Sequence, residues 1–173
     1  MPPLKLFTVK GGCYCGNIKL TAGLTRDPAS YAPRLCDCTF CKKHAAGYLS
    51  DPLGTLHISV VDEEKLTRFK QEKDGNAEFL VCKDCGVLTS VVFQRLSIES
   101  IAAENGSRTV IGAINSRSID DFEAVFPLPP VSVSPRLLSA SEKIDRWSAN
   151  WFGNVTFASA KAGEAEASNS IEK

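Results

Sequence analysis

The chain has 173 residues, of which 43% are hydrophobic, enough for one domain with a buried core. Twenty basic residues balance twenty acidic ones, so no global field draws the protein to nucleic acid or to an anionic membrane surface. The first residues, Met1-Pro-Pro-Leu-Lys-Leu-Phe, lack an apolar leader run, and no stretch has the length and apolarity of a membrane span. This pattern predicts a soluble, cytoplasmic protein with small-molecule or protein partners and leaves its oligomeric state open.

Along residues 4–21, apolar positions Leu4, Leu6, Val9, Ile18 and Leu20 flank the turn Gly11-Gly12-Cys13-Tyr14-Cys15-Gly16. The pattern predicts a β-hairpin with two thiols at its tip and glycines that supply positive φ angles there. A polar loop follows, and then Cys36-Asp37-Cys38-Thr39-Phe40-Cys41 at a strand end, with a helical turn expected from Cys41 onward. Apolar positions 56, 58 and 60, then 66 and 69, then 79–81, predict short strands, two of them joined by Asp74-Gly75-Asn76. Val81-Cys82-Lys83-Asp84-Cys85-Gly86 is a second knuckle, followed by expected strands over 87–93, 97–102 and 109–114. Prolines 127, 129, 130 and 135 enforce an extended or turning path, and a short helix is expected over 141–151. From Ala158 the composition turns to Ala, Glu, Ser and Lys, so one domain over residues 1–157 and a frayed tail over 158–173 are expected. The fold class is mainly β, with antiparallel sheets and short helices.

The chemistry lies in the cysteines. All seven fall in three tight groups, Cys13/Cys15, Cys36/Cys38/Cys41 and Cys82/Cys85. In a reducing compartment such clustered thiols serve as metal ligands or catalysts rather than disulfides. A structural zinc takes four ligands and a catalytic zinc takes three with an exchangeable position, so seven thiols divide as four and three. His44, three residues beyond Cys41, offers two alternatives: a fourth ligand that closes the central site, or a proton shuttle beside an open one. Lys42 and Lys43 flank the knot and can attract a carboxylate, although a solvated basic pair is the simpler reading, and Arg34 is read in the same way. His57 fits a strand residue without a chemical role. Trp147 and Trp151 are four apart on one helical face and are expected to anchor the C-terminal segment on the core. Asp120 and Asp121 read as a turn or helix cap.

The order Gly-Gly-Cys13-Tyr-Cys15-Gly, Cys36-Asp-Cys38-Thr-Phe-Cys41-Lys-Lys and Phe79-Leu-Val-Cys82-Lys-Asp-Cys85-Gly resembles the glutathione-dependent formaldehyde-activating enzyme family, which includes the domain of centromere protein V. The resemblance covers residues 8–125. It implies a β-tent fold of antiparallel sheets pinned by zinc, with a structural zinc on Cys13, Cys15, Cys82 and Cys85. It implies a catalytic zinc on Cys36, Cys38 and Cys41, glutathione as co-substrate, and carbon–sulfur lyase chemistry that joins formaldehyde and glutathione. The chain departs from the pattern near its C-terminus, where Pro-Pro-Val-Ser-Val-Ser-Pro replaces a histidine-containing strand and Arg146-Trp147 is the counterpart of an Arg/Trp element. Two other readings stand beside the lyase: a zinc enzyme that dehydrates or isomerises a small metabolite, and a non-catalytic zinc module that binds a protein.

Overall fold

The computed structural model describes residues 5–71, 77–96 and 108–159. β1 (Phe7–Gly12) and β2 (Ile18–Leu24) form the first hairpin. They join β5 (Thr55–Val60) and β11 (Asn154–Ser159) in a four-stranded sheet of order β1-β2-β5-β11. The larger sheet has seven strands in the order β10-β3-β4-β9-β8-β7-β6. Its members are β3 (Arg34–Cys36), β4 (Gly47–Leu49), β6 (Leu66–Phe69), β7 (Ala77–Cys82), β8 (Leu88–Leu96), β9 (Arg108–Asn115) and β10 (Val131–Val133). All pairings are antiparallel except β10 on β3 and β11 on β5. Mainly antiparallel β is thus the observed class.

Side chains alternate across a strand, so a sheet covered on both faces feeds two cores. On β8, Val92 enters one core while Val91 and Phe93 enter the other; on β7, Leu80 and Cys82 part from Ala77 and Phe79 in the same way. The first core lies against the four-stranded sheet and contains Ile18, Leu20, Ile58 and Val60. The second lies under two helices, α1 (Thr39–Lys43) and α3 (Ala140–Asn150), and contains Cys41, Tyr48 and Trp151. A further short helix, α2 (Phe122–Val125), starts after Asp121, so the expected capping position is observed, although the Asp121 side chain makes no cap hydrogen bond.

α3 begins with a capping box: the Ser139 hydroxyl accepts from the Glu142 N–H at 3.3 Å, and the Glu142 carboxylate accepts from the Ser139 N–H at 2.7 Å. Its exit is held by Phe152, which is fully buried and exchanges backbone hydrogen bonds with Gly112 of β9 at 2.8 and 3.2 Å. Trp151 and Phe152 are consecutive, yet they belong to different cores.

The strands expected over 87–93 and 109–114 are present in slightly longer form. The turn at 74–76 and the strand over 97–102 lie outside the described residues. β11 carries the chain two residues past the expected start of the tail, with Ala158 and Ser159 paired to Ser59 and Val60. Phe152→Ala is expected to destabilise the fold by about 3–5 kcal/mol, the usual cost of emptying a buried aromatic site. Urea denaturation of the variant beside the wild type measures it.

Candidate metal centres and cavity

Two knuckles build the first cluster. Gly16 and Gly86 each follow a cysteine and take φ values of 82° and 72°, the left-handed conformation that glycine adopts freely. Each turns its N–H back on the preceding loop, Gly16 to Cys13 at 3.2 Å and Gly86 to Cys82 at 2.9 Å. Gly11 serves another purpose, since a Cβ there would lie 2.1 Å from the Ser118 carbonyl oxygen. With the knuckles so shaped, the sulfurs of Cys13, Cys15, Cys82 and Cys85 all lie within 4.8 Å of one another.

Cys13 and Cys15 sulfurs are 3.7 Å apart and those of Cys15 and Cys82 are 3.4 Å apart. Sulfurs bound at about 2.3 Å around a tetrahedral ion stand roughly 3.8 Å apart, so the donor set fits zinc. The Ile18 N–H also donates to Cys13 Sγ at 3.2 Å, and Cys13 and Cys82 are buried in the first core. Burial raises the Cys85 thiol, but N–H groups of Cys15 and Val87 outweigh it and bring Cys85 down to about 6.

Cys36, Cys38 and Cys41 form the second cluster, again with sulfurs within 4.8 Å. β3 delivers Cys36, Cys38 is the N-cap of α1, and Cys41 lies within that helix and is buried. The cap is chemical as well as geometric: Cys38 Sγ accepts from the Cys41 N–H at 3.4 Å. Hydrogen bonding from Cys41 lowers Cys36 to about 6 against the opposing effect of burial, while Cys41, the donor to Cys36, is pushed up. Two further groups reach these sulfurs. Tyr48 Oη is 3.4 Å from Cys41 Sγ, and Gln71 Nε2 donates to Cys38 Sγ at 3.2 Å. Burial and then the neighbouring thiols raise Tyr48 well above an ordinary phenol.

The clusters differ in access. The second opens into a cavity of about 270 Å³ whose wall includes Cys36, Cys38 and Cys41. Tyr48, Phe79, Trp147 and Trp151 supply its aromatic surface. Trp147 and Trp151 stack at 4.9 Å with planes 19° apart, and Trp147 meets Phe93 at 5.5 Å. Both tryptophans therefore join the second core, as expected, and also face the cavity.

Arg34, Arg136, Lys143 and Arg146 add four cationic groups to the wall, and among the described residues no Asp or Glu joins them. Arg34 is hydrogen-bonded to the Ser50 hydroxyl, and burial, then the charge of Arg146, lowers its pKa. Arg136 is engaged differently: its Nε donates to Asp37 Oδ2 at 3.0 Å, where the Ser134 hydroxyl also donates at 2.8 Å. These bonds fasten the proline-flanked β10 beside the cysteine strand.

His44 is the C-cap of α1, and its ring packs on Phe40 at 4.6 Å. It is not a member of the sulfur cluster and does not line the cavity. Residues four apart on a helix meet, so the imidazole joins Phe40 instead of the metal position. Lys42 and Lys43 are exposed, and neither lines the cavity. His57 is an exposed strand residue, with Nδ1 2.9 Å from Thr156 Oγ1, and has no place near either cluster. The sequence pattern did not single out Tyr48, Gln71, Arg136 or Lys143. Arg34 shares a sheet face with Cys36 by its two-residue spacing, the one signal that separated it from the lysine pair.

The profile described as glutathione-dependent formaldehyde-activating enzyme matches residues 8–110, more than half of the chain. The chain belongs to this family. Searches of curated proteins and of solved structures return no significant match. The family match contains all seven cysteines and ends before β10 and α3, so the second wall of the cavity comes from outside it. The two cysteine clusters can each hold a metal ion.

Cys82→Ser is expected to abolish one metal site and the folded state with it, since apparent binding free energies of structural zinc are about 10–16 kcal/mol in small domains. Metal analysis with far-UV circular dichroism checks this. Tyr48→Phe should leave the fold intact and weaken metal retention at the Cys36/Cys38/Cys41 cluster or its activity by roughly 10–100-fold, as loss of a ligand's hydrogen-bonding partner does. A chelator competition titration reads the affinity.

Proposed function

We propose that the protein is a zinc-dependent carbon–sulfur lyase that makes and breaks the adduct of an aldehyde with glutathione or a related thiol. The observation that carries this reading is the contrast between the two clusters. Four thiols from two knuckles complete a tetrahedral donor set, whereas the other cluster has three and lines a cavity. The former is the arrangement of a structural zinc and the latter that of a catalytic one with an exchangeable fourth position. Family membership supports the same assignment.

In the forward direction the thiol sulfur forms a bond to the carbonyl carbon, the carbonyl π bond breaks, and the thiol proton passes to the oxygen, giving an S-hydroxyalkyl adduct. Zinc on Cys36, Cys38 and Cys41 would supply Lewis acidity, lowering the pKa of a thiol or polarising a carbonyl oxygen. The chain's own groups prepare the site. Gln71 donates to Cys38 Sγ at 3.2 Å, and Tyr48 Oη, 3.4 Å from Cys41 Sγ, can donate to it once that sulfur is a thiolate; both would moderate the charge that three thiolates gather. Phe79, Trp147 and Trp151 exclude water from one side of the cavity. Because the His44 ring packs on Phe40 and does not line the cavity, proton transfer would run to bulk water through the open mouth.

One observation favours a second reading, a zinc enzyme acting on a different small acidic metabolite: β10 and α3 lie outside the family match yet form much of the cavity wall. Carbon-13 exchange spectroscopy of formaldehyde and glutathione separates the two, because it measures adduct formation and breakdown at equilibrium. The wild type is expected to accelerate the exchange. Cys38→Ala is expected to retain one zinc and the fold while the exchange falls to the uncatalysed rate; an undiminished rate in that variant would sink the lyase assignment.

A further inference from the structure

The cationic side of the cavity is not explained by the cysteine chemistry. Of the four cations in its wall, Arg136 is taken by Asp37 at 3.0 Å. Among the described residues, Arg34, Lys143 and Arg146 form no ion pair, and no carboxylate lines the cavity. All three are at least partly buried. Withdrawing a guanidinium from water is costly unless an anion replaces the lost solvation, and arginine cannot discharge itself by losing its proton. Like charges gathered at such a place are unfavourable in the empty protein and become favourable when an anion binds.

The positions of these groups tell where that anion lies. Arg34 is two residues before Cys36 on β3, so the two side chains leave the same face of the strand about 6.6 Å apart along it. Lys143 and Arg146 are three apart on α3, which covers that face, with Trp147 next to them. Ser50 fixes the Arg34 head: its hydroxyl donates to the Asn150 carbonyl at 2.6 Å and leaves its lone pair for the guanidinium. The fork is thereby held at the end of α3 before any ligand arrives.

We propose that Arg34, Lys143 and Arg146 form a carboxylate-binding subsite that orients the thiol-bearing substrate on the Cys36/Cys38/Cys41 centre and selects anionic adducts over neutral ones. The subsite rests on the reading of that centre as open to substrate, and it assigns the substrate class as a carboxylate bonded through a short chain to the reacting sulfur. Formaldehyde contributes nothing to this recognition. The thiol half of the adduct therefore carries the specificity.

S-methylglutathione and its diethyl ester are suitable probes, because neither has a free thiol and their binding reports the subsite apart from metal–thiol bonding. Isothermal titration calorimetry on zinc-loaded full-length protein is expected to show the acid binding about 10–100-fold tighter than the ester. Arg34→Gln and Arg146→Gln should each remove roughly 10-fold of that preference, and Arg34→Lys should restore part of it, with the zinc count unchanged in native mass spectrometry. In turnover with glutathione, the same variants should raise KM more than they lower kcat. Equal binding of acid and ester to the wild type, or a preference that survives in the Arg34→Gln/Arg146→Gln double variant, would overturn the subsite. A preserved preference without any acceleration of formaldehyde exchange upholds the subsite and removes the lyase reading, so the two failures are distinct.

Discussion

Two-residue alternation in the seven-stranded sheet is the constraint on which both centres depend. Because both faces of that sheet are covered, each strand serves two cores, and the cysteines are sorted between them. Cys82 leaves β7 on the side of the four-stranded sheet, where it meets the first hairpin and the thiols of Cys13 and Cys15. Cys41 lies on the other side, on the buried face of α1, with Tyr48 and Phe79. A one-residue slip in β7 would exchange Phe79 with Leu80 and send Cys82 away from its partners. The sheet register therefore determines which thiols meet, and the metal chemistry inherits that choice.

Separation of the centres also separates their energetics. The four-thiol cluster joins Cys15 and Cys82 across 67 residues of chain, so a metal held there closes a long loop in the folded state. Its surroundings are tight, and the close approach of Gly11 to the Ser118 carbonyl leaves no room for a side chain. The three-thiol cluster spans six residues of sequence and constrains little chain. Its shape comes from the Cys38 cap, the Cys41 N–H and two outside donors, Tyr48 and Gln71. The four-thiol cluster ties distant segments together, while the cluster that lines the cavity is held by neighbouring groups. A binding site can tolerate that arrangement because its own contribution to folding is small.

Local patterns made much of this legible. Glycine-flanked thiols marked the knuckles, period-two apolar residues marked β5, an apolar run after the second knuckle marked β8, and the spacing of Trp147 and Trp151 marked the face of α3. Grouping the cysteines as four and three required both ligand counting and the family resemblance, since no local rule pairs residues 67 apart. β10 was hidden by prolines, which are compatible with a strand only at a sheet edge, and β10 occupies that edge. β11 was hidden by an Ala- and Ser-containing segment that gains its order from parallel pairing with β5. His44 was misleading because spacing along a helix allows both a turn toward Cys41 and a stack on Phe40, and aromatic contact with Phe40 prevails. The charged wall was least visible: Lys143 drew no notice in the sequence, and Arg146 stood out only beside Trp147 through the family resemblance, although both line the cavity.

The electrostatics of the cavity follow from these placements. Three thiolates around a dication leave one negative charge, whereas the wall supplies four cations of which one is neutralised by Asp37. Among the described residues cations outnumber anions in the cavity wall; of the three without an ion pair, Lys143 and Arg146 sit on α3 beyond the family match and Arg34 on β3 within it. Changing α3 would alter the charged wall without replacing a cysteine of the cluster, since those thiols come from β3 and the α1 segment. Electrostatic attraction in a partly dehydrated cavity is stronger than at the surface, so an anion drawn to Arg34 is held in position as well as attracted. On the proposed function the fold would divide the work: the cysteine-bearing sheet would supply reactivity, and the C-terminal helix with its edge strand would decide what reaches it.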